Sequence, residues 1–342
     1  MSARTNRFAR ALAATALLTA LASNASAQTN TGTTIGTFLE IEPIARIAAM
    51  GNAGVSAYSG LEGVYYNPAS IGSAHDFQAL FTHSDWFAGI TYDYAAVGLP
   101  IAGWGTSYVA ITALNSGDIA VRTVDQPLGT GESYSVNDLA IGLGFGRQVS
   151  PRFSAGGQVT FAEETIWHTS ATMVTASIGT LYRVSENGLR IGSSLSNFGT
   201  RAAYGGQDLD FSYDNVPGQN GDNNELPGVR ATDSFSVPVD FRVGVGMPFK
   251  LNDEQQLLVE ADAYHPNDNA ESMSLGAEYT LARMVSLRGG FQNLFLPDAE
   301  GGTTLGAGLV GRVDTYHYQV DYAWADAGRL GHTQRLTVGF RF

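Results

Sequence analysis

From about residue 76 to the end, this chain is a succession of segments near ten residues long in which apolar and polar side chains alternate one for one. Such a period of two marks β-strands with one face in an apolar medium and the other in a polar one. The clearest is TYHYQVDYAW, with Tyr316, Tyr318, Val320, Tyr322 and Trp324 on one face and His317, Gln319 and Asp321 on the other. The pattern predicts fourteen strands, at about 76–84, 88–99, 103–114, 136–147, 152–164, 170–183, 188–198, 237–248, 255–265, 271–281, 283–293, 303–313, 315–325 and 332–342. The stretch 118–124 reads as a hairpin extension within a loop. Each strand is close to the 9–11 residues that a tilted strand needs to cross a bilayer.

The connections carry a second pattern. Tight turns such as LPIAG, RQVSPR, VSENG and KLNDEQ alternate with variable links at 115–135, 199–236, HPNDNAE, LFLPDAEGGT and ADAGRLGH. A membrane barrel has short turns at one rim and longer loops at the other, and an even number of strands begins and ends at the same rim. The alternation stays in register along the chain. Glycine, 41 residues spread throughout, suits turns and curved sheets and opposes helices.

The strand faces separate the candidate architectures. A secreted β-sandwich also alternates, with its apolar face turned inward, and alternation alone does not say which side is wet. Here the polar face carries charges of both signs in mid-strand: Asp93, Arg190, Asp240, Arg242, Glu260, Asp262, Glu278, Arg288 and Asp321. Apolar outside and polar inside predicts an all-β, transmembrane antiparallel barrel of about fourteen strands, whose closure satisfies every backbone group in lipid. Those nine residues are then the expected lumen-facing charges. Trp86, Trp104, Trp167 and Trp324 fall near strand ends and read as interfacial girdles, with sugar-binding platforms as the alternative.

Both ends of the sequence fit export to an outer membrane. Arg4, Arg7 and Arg10 precede an apolar run over 11–22 and an Ala25-Ser26-Ala27 site, which predicts a signal peptide over 1–27. Without it, 16 basic residues face 32 acidic ones, a net charge of −16 that repels nucleic acid. With no cysteine there is no lipidation site, disulfide or zinc-thiolate centre. At the other end RLTVGFRF alternates to its last residue, predicting a closing strand against the first. Leu336, Val338, Phe340 and Phe342 also resemble the C-terminal signal by which such barrels reach their assembly machinery.

Residues 28–75 are expected to form an arm and a plug, with a short helix near 43–50 after Pro43, leaving 76–342 for the barrel. The segment ARIAAMGNAGVSAYSGLEGVYYNPASIG, above all Asn67-Pro68-Ala69, resembles the opening signature of the PorV/PorQ family within the FadL-like barrels. The stretches at 117–159 and 179–199 resemble it too. The resemblance implies a fourteen-stranded barrel with an N-terminal plug, and Asn67, Pro68 and Ala69 as a plug motif. The plain alternative is a turn before the first strand. It further implies a binding and shuttle role in type IX secretion, with cargo proteins and other secretion components as partners beside the outer-membrane lipid. A FadL-like channel for hydrophobic compounds is the alternative.

No enzyme is expected. Glu163 and Glu164 are adjacent and so lie on opposite strand faces, the histidines are scattered, and no nucleophile elbow or phosphate loop appears. No cofactor is expected. The loop GGQDLDFSYDNVPGQNGDNNE offers Asp208, Asp210 and Asp214 as calcium-ligand candidates, with Asp222 and Glu225 nearby. It lacks the EF-hand order, so a solvated loop is the alternative.

Overall fold

A computed structural model describes residues 31–56, 58–185, 188–215 and 225–342. The expected signal peptide, and Asp222, lie outside the described residues.

One antiparallel sheet closes on itself. Its strands are β1 (Gln78–Asp85), β2 (Thr91–Ile101), β3 (Gly105–Asn115), β4 (Val136–Ser150), β5 (Phe153–Ile166), β6 (Thr169–Arg183) and β7 (Arg190–Gly199). They continue as β8 (Asp240–Lys250), β9 (Gln255–Pro266), β10 (Ser272–Leu281), β11 (Val285–Leu294), β12 (Thr303–Val313), β13 (Tyr316–Asp326) and β14 (His332–Arg341). All fourteen begin and end within three residues of the bounds read from the sequence. Each pairs with its neighbours in chain order, and β14 returns to β1, from Gln78↔Arg341 to Asp85↔Gln334. Closure removes both sheet edges, so every strand finds two partners inside the cylinder.

The closing residue is held as the alternation requires. Phe342 exchanges backbone hydrogen bonds with Phe77 at 3.0 and 3.1 Å, and their rings lie 4.6 Å apart. The ladder shifts register at Gln148/Ser150, Ala176/Ile178 and Met273/Leu275. At the last two shifts β7 and β11 each carry an additional residue, and Asn197 and Asn293 take φ near +60° there. Asparagine tolerates this left-handed region better than a branched residue would.

Outward positions form an apolar belt. Leu139, Leu143, Val159, Phe161, Ile178, Phe241, Leu275, Leu287, Leu305, Tyr318 and Phe340 are all exposed on the outer face. Leu336 and Phe342 share it. An apolar outer face round a closed ladder is the condition for crossing a bilayer with strands. The hairpin expected within 115–135 is present as a two-residue pairing, Ile119–Ala120 with Ser133–Tyr134.

Of the described residues, 34–56 and 58–75 pack against the inner face of the cylinder. They contain short 3₁₀ turns at Thr37–Glu40, Leu61–Gly63 and Pro68–Ser73 and one helical turn at Ala45–Ala48. Ile44, Ile47, Met50, Val55, Val64, Tyr66 and Ile71 are almost wholly buried. Two glycines of the wall make the fit close: a Cβ at Gly156 on β5 would strike Pro68, and one at Gly290 on β11 would strike the Met50–Gly51 backbone. The segment thus touches the wall on opposite sides.

Candidate functional site

The inner face of the barrel and the segment within it form the site. On the β10–β13 side they meet through charge. Arg46 grips Glu278 with two hydrogen bonds, Nε to Oε2 at 2.8 Å and a terminal nitrogen to Oε1 at 2.6 Å. It also donates to Glu62 at 2.9 Å, and its guanidinium lies over the Tyr58 ring at 4.4 Å. Arg288 joins Glu278 at 2.5 Å to Asp321 at 2.6 Å, and Gln319 donates to both Glu62 and Asp321. Two guanidinium and three carboxylate groups share one network that spans three strands and the inner segment. Paired, hydrogen-bonded charges of this kind are those an interior tolerates.

Next along the wall the carboxylates cap backbone. Asp262 accepts from the amides of Gly54 and Val55 at 2.8 and 3.0 Å. Glu260 accepts from the Ser56 amide and hydroxyl at 2.8 and 2.9 Å. The loop 51–56 has no helix or strand to occupy these amides, so the wall supplies acceptors. Arg242 on β8 reaches Glu42 at 3.3 Å and Asp240 at 3.9 Å. The Tyr264 hydroxyl lies 2.6 Å from Asp240 and 3.2 Å from Glu40. Burial, then the nearby charges of Asp240 and Asp268, push the Glu40 carboxyl up to about 8.

Asn67 is buried and fully used. Its amide donates to the carbonyls of Val55 and Thr180, each at 2.9 Å, and its oxygen accepts from the Ala69 amide at 3.0 Å. Pro68 opens the 3₁₀ turn that Asn67 caps, as its fixed φ favours. The turn rests on β4, β5 and β6.

The opposite side of the wall is of another kind. Ala140, Ala162, Ala171 and Met173 face inward from β4, β5 and β6, and with Ala202 and Val237 from the long loop they line an apolar recess. It is filled by the chain's own Ile35, Phe38 and Leu39. Thr34 and Ile35 lie along Ser236, with Ile35 donating to its carbonyl at 3.0 Å, and the Gly36 amide donates to Glu164 at 2.9 Å. Beside the recess a cavity of about 40 Å³ remains between Leu39, Val64, Tyr65, Tyr94 and Gln158. A larger one, about 260 Å³, lies near the short-turn rim between Glu62, Gln78, His317 and Arg341.

Of the nine expected lumen charges, Arg190, Asp240, Arg242, Glu260, Asp262, Glu278, Arg288 and Asp321 face inward. Asp93 does not. Tyr92, Tyr94 and Ala96 are the buried face of β2, so Asp93 points outward and meets His83 at 2.7 Å. The apolar face of this strand is the lumenal one because the wall here packs against Ile41 and Tyr65, and hydropathy alone assigned it backwards. Part of the calcium-candidate loop, with Asp222, lies outside the described residues, and among those described no three acidic or imidazole groups are arranged to hold a metal ion. Asp208 is instead engaged by His168 and Thr169, which tie its loop to the β5–β6 turn. Trp86, expected as a girdle residue, lies over the Arg335 guanidinium at 5.0 Å.

Sequence reasoning missed the role of Arg46 and the whole apolar recess. Arg46 was visible as a charge in an otherwise small and apolar run. The recess had no signal, because alanine on a strand face reads as neither apolar nor polar.

The sequence matches no family model and no curated protein. Among solved structures the chain is similar to the Pseudomonas putida toluene transporter TodX, at 12% identity and a TM-score of 0.53, over 86% of this chain and 96% of that one. It is similar to the Ralstonia pickettii toluene transporter TbuX at 13% and 0.51, over 88% and 98%. A Pseudomonas aeruginosa FadL homologue matches at 10% and 0.52, over 88% and 98%. At these identities the likeness establishes the fold, a FadL-type barrel, and does not single out the PorV/PorQ branch of that group.

Proposed function

We propose that this protein is an outer-membrane channel for small hydrophobic compounds, with residues 34–75 as its plug and the short-turn rim facing the periplasm. The observation that carries the reading is the apolar recess near the long-loop rim, occupied by Ile35, Phe38 and Leu39. An apolar pocket filled by the chain's own side chains accepts another apolar body when those side chains leave, since burial energy is non-directional. The FadL-type fold, shared with two toluene transporters, supports the same reading. The test is entry of a monoaromatic hydrocarbon such as toluene into cells carrying or lacking the protein. Deletion slows entry several-fold, and Ala162→Trp, which fills the recess, reproduces the defect. Equal entry in all three strains rejects the channel.

A second reading, a PorV/PorQ-type shuttle in type IX secretion, is favoured by the ion-pair network. A plug fixed by Arg46, Glu278, Arg288 and Asp321 leaves a closed cylinder that presents loops to exported proteins. It predicts co-purification of exported cargo and other secretion components, and cargo retention on deletion. Normal cargo release in the deletion strain rejects it.

A further inference from the structure

We propose that Arg335 and Ser84 form a binding site for a small monovalent anion inside the barrel, one layer below the long-loop rim. The two residues are register partners on β14 and β1, in a row that runs Tyr92, Ser84, Arg335, Ala323 across four strands. Ser84 is wholly buried and Arg335 is 3% exposed. The other two arginines buried to this degree on the wall have carboxylates: Arg242 has Glu42 and Asp240, and Arg288 has Glu278 and Asp321.

Arg335 differs. Among the described residues no carboxylate lies within ion-pair distance of it. One terminal nitrogen donates to Thr333 at a long 3.3 Å, and the Trp86 ring covers one face. Its Nε has no hydrogen-bond partner, and neither does the Ser84 hydroxyl beside it. Two unspent donors thus belong to register partners on adjacent strands, one of them carrying a buried positive charge. A guanidinium does not escape burial by losing its proton at any physiological pH, so it requires a counter-charge. The charge of Glu42 reaches Arg335 through space, but its carboxylate pairs with Arg242. The Tyr92 hydroxyl is committed to the Ile41 carbonyl at 2.8 Å.

The acceptor therefore comes from solution. One guanidinium charge and two donors in a buried setting match a small monovalent anion such as chloride better than a multivalent one, whose second charge would stay uncompensated. This site is independent of the apolar recess and of which function the barrel serves.

The experiment is thermal unfolding of the full chain in detergent, at constant ionic strength, in sodium chloride, bromide, acetate or gluconate. Chloride and bromide raise the midpoint by about 2–4 °C over gluconate. Acetate matching or exceeding chloride identifies a carboxylate as the occupant and supports the same site. Arg335→Met abolishes the response and is no less stable than the parent in gluconate, because it removes an unpaired buried charge. Ser84→Ala, which leaves the charge in place, weakens half-saturation about threefold and serves if Arg335→Met fails to fold. Crystals grown in bromide place an anomalous peak at Nε. No anion response in the parent, or an undiminished response in both variants, overturns the proposal.

Discussion

The two halves of the inner wall hold the same segment by different means. From β8 to β14 the wall presents Asp240, Arg242, Glu260, Asp262, Glu278, Arg288 and Asp321, each matched to a defined donor or acceptor. From β2 to β6 it presents Tyr92, Tyr94, Ala96, Tyr108, Ala110, Ala140, Ala162, Ala171 and Met173, which offer mainly surface. Charge pairs depend on angle and distance, so one half fixes the register of the segment. Apolar contact depends on area, so the other half tolerates exchange of its occupant. The half without ion pairs holds the segment by apolar contact and a few hydrogen bonds, among them Asn67 to Thr180 and Gly36 to Glu164, and is the half where the segment is expected to move first.

The sharpest way to break that contrast is to damage the charged half. Glu278→Leu leaves Arg46 and Arg288 buried without their shared carboxylate and is expected to cost about 3–5 kcal/mol. Chemical denaturation in detergent measures this, and entry of a bulky polar antibiotic reports the loosened plug. An unchanged denaturation midpoint contradicts the anchoring role. Asn67→Ala comes next, at roughly 2–3 kcal/mol, since it removes the donor to the carbonyls of Val55 and Thr180 and the acceptor of the Ala69 amide. It unseats the turn that rests on β4 to β6, and hydrogen exchange at Ala69 and Ser70 rises with it.

The contrast also explains what was legible in the sequence. All fourteen strands and the rim alternation could be read because lipid imposes one rule, apolar outward, on every strand. Eight of nine inward charges followed from parity alone. Asp93 failed because β2 turns aromatic residues inward, and a tyrosine face looks alike from either side. Arg335 stood on the polar face of RLTVGFRF, yet nothing local distinguishes a paired arginine from an orphan. The partners Arg46–Glu278 and Asn67–Thr180 are separated by more than a hundred residues, and only closure of the cylinder brings them together.

In the apolar recess the effect on stability is smaller, and the barrier to polar solutes is expected to respond differently. Ala162→Leu adds volume where Phe38 and Leu39 already sit, and overpacking is expected to cost about 1–3 kcal/mol. Because the displaced side chains lie near the long-loop rim, the denaturation midpoint falls while the polar-antibiotic barrier holds. If that barrier fails as it does in Glu278→Leu, the two halves are not distinct anchors.

The most gradual effect, spread over several pH units, probes the seam between the halves, where the Tyr264 hydroxyl lies between Glu40 and Asp240. Its carboxyl titrates near 8 in the folded protein and near 4.5 when unfolded, so folding favours the protonated form. Below both values the group makes no difference. As pH rises from about 4.5 to about 8 the unfolded chain ionises first, and stability falls by at most ~1.4 kcal/mol per pH unit before levelling off. Glu40→Gln removes this slope, so the variant gains on the parent progressively toward pH 9 and matches it near pH 4. Thermal midpoints across that range decide the matter. Parallel curves for parent and variant mean that Glu40 is ionised in place and that the seam is held by charge, as the β10–β13 side is.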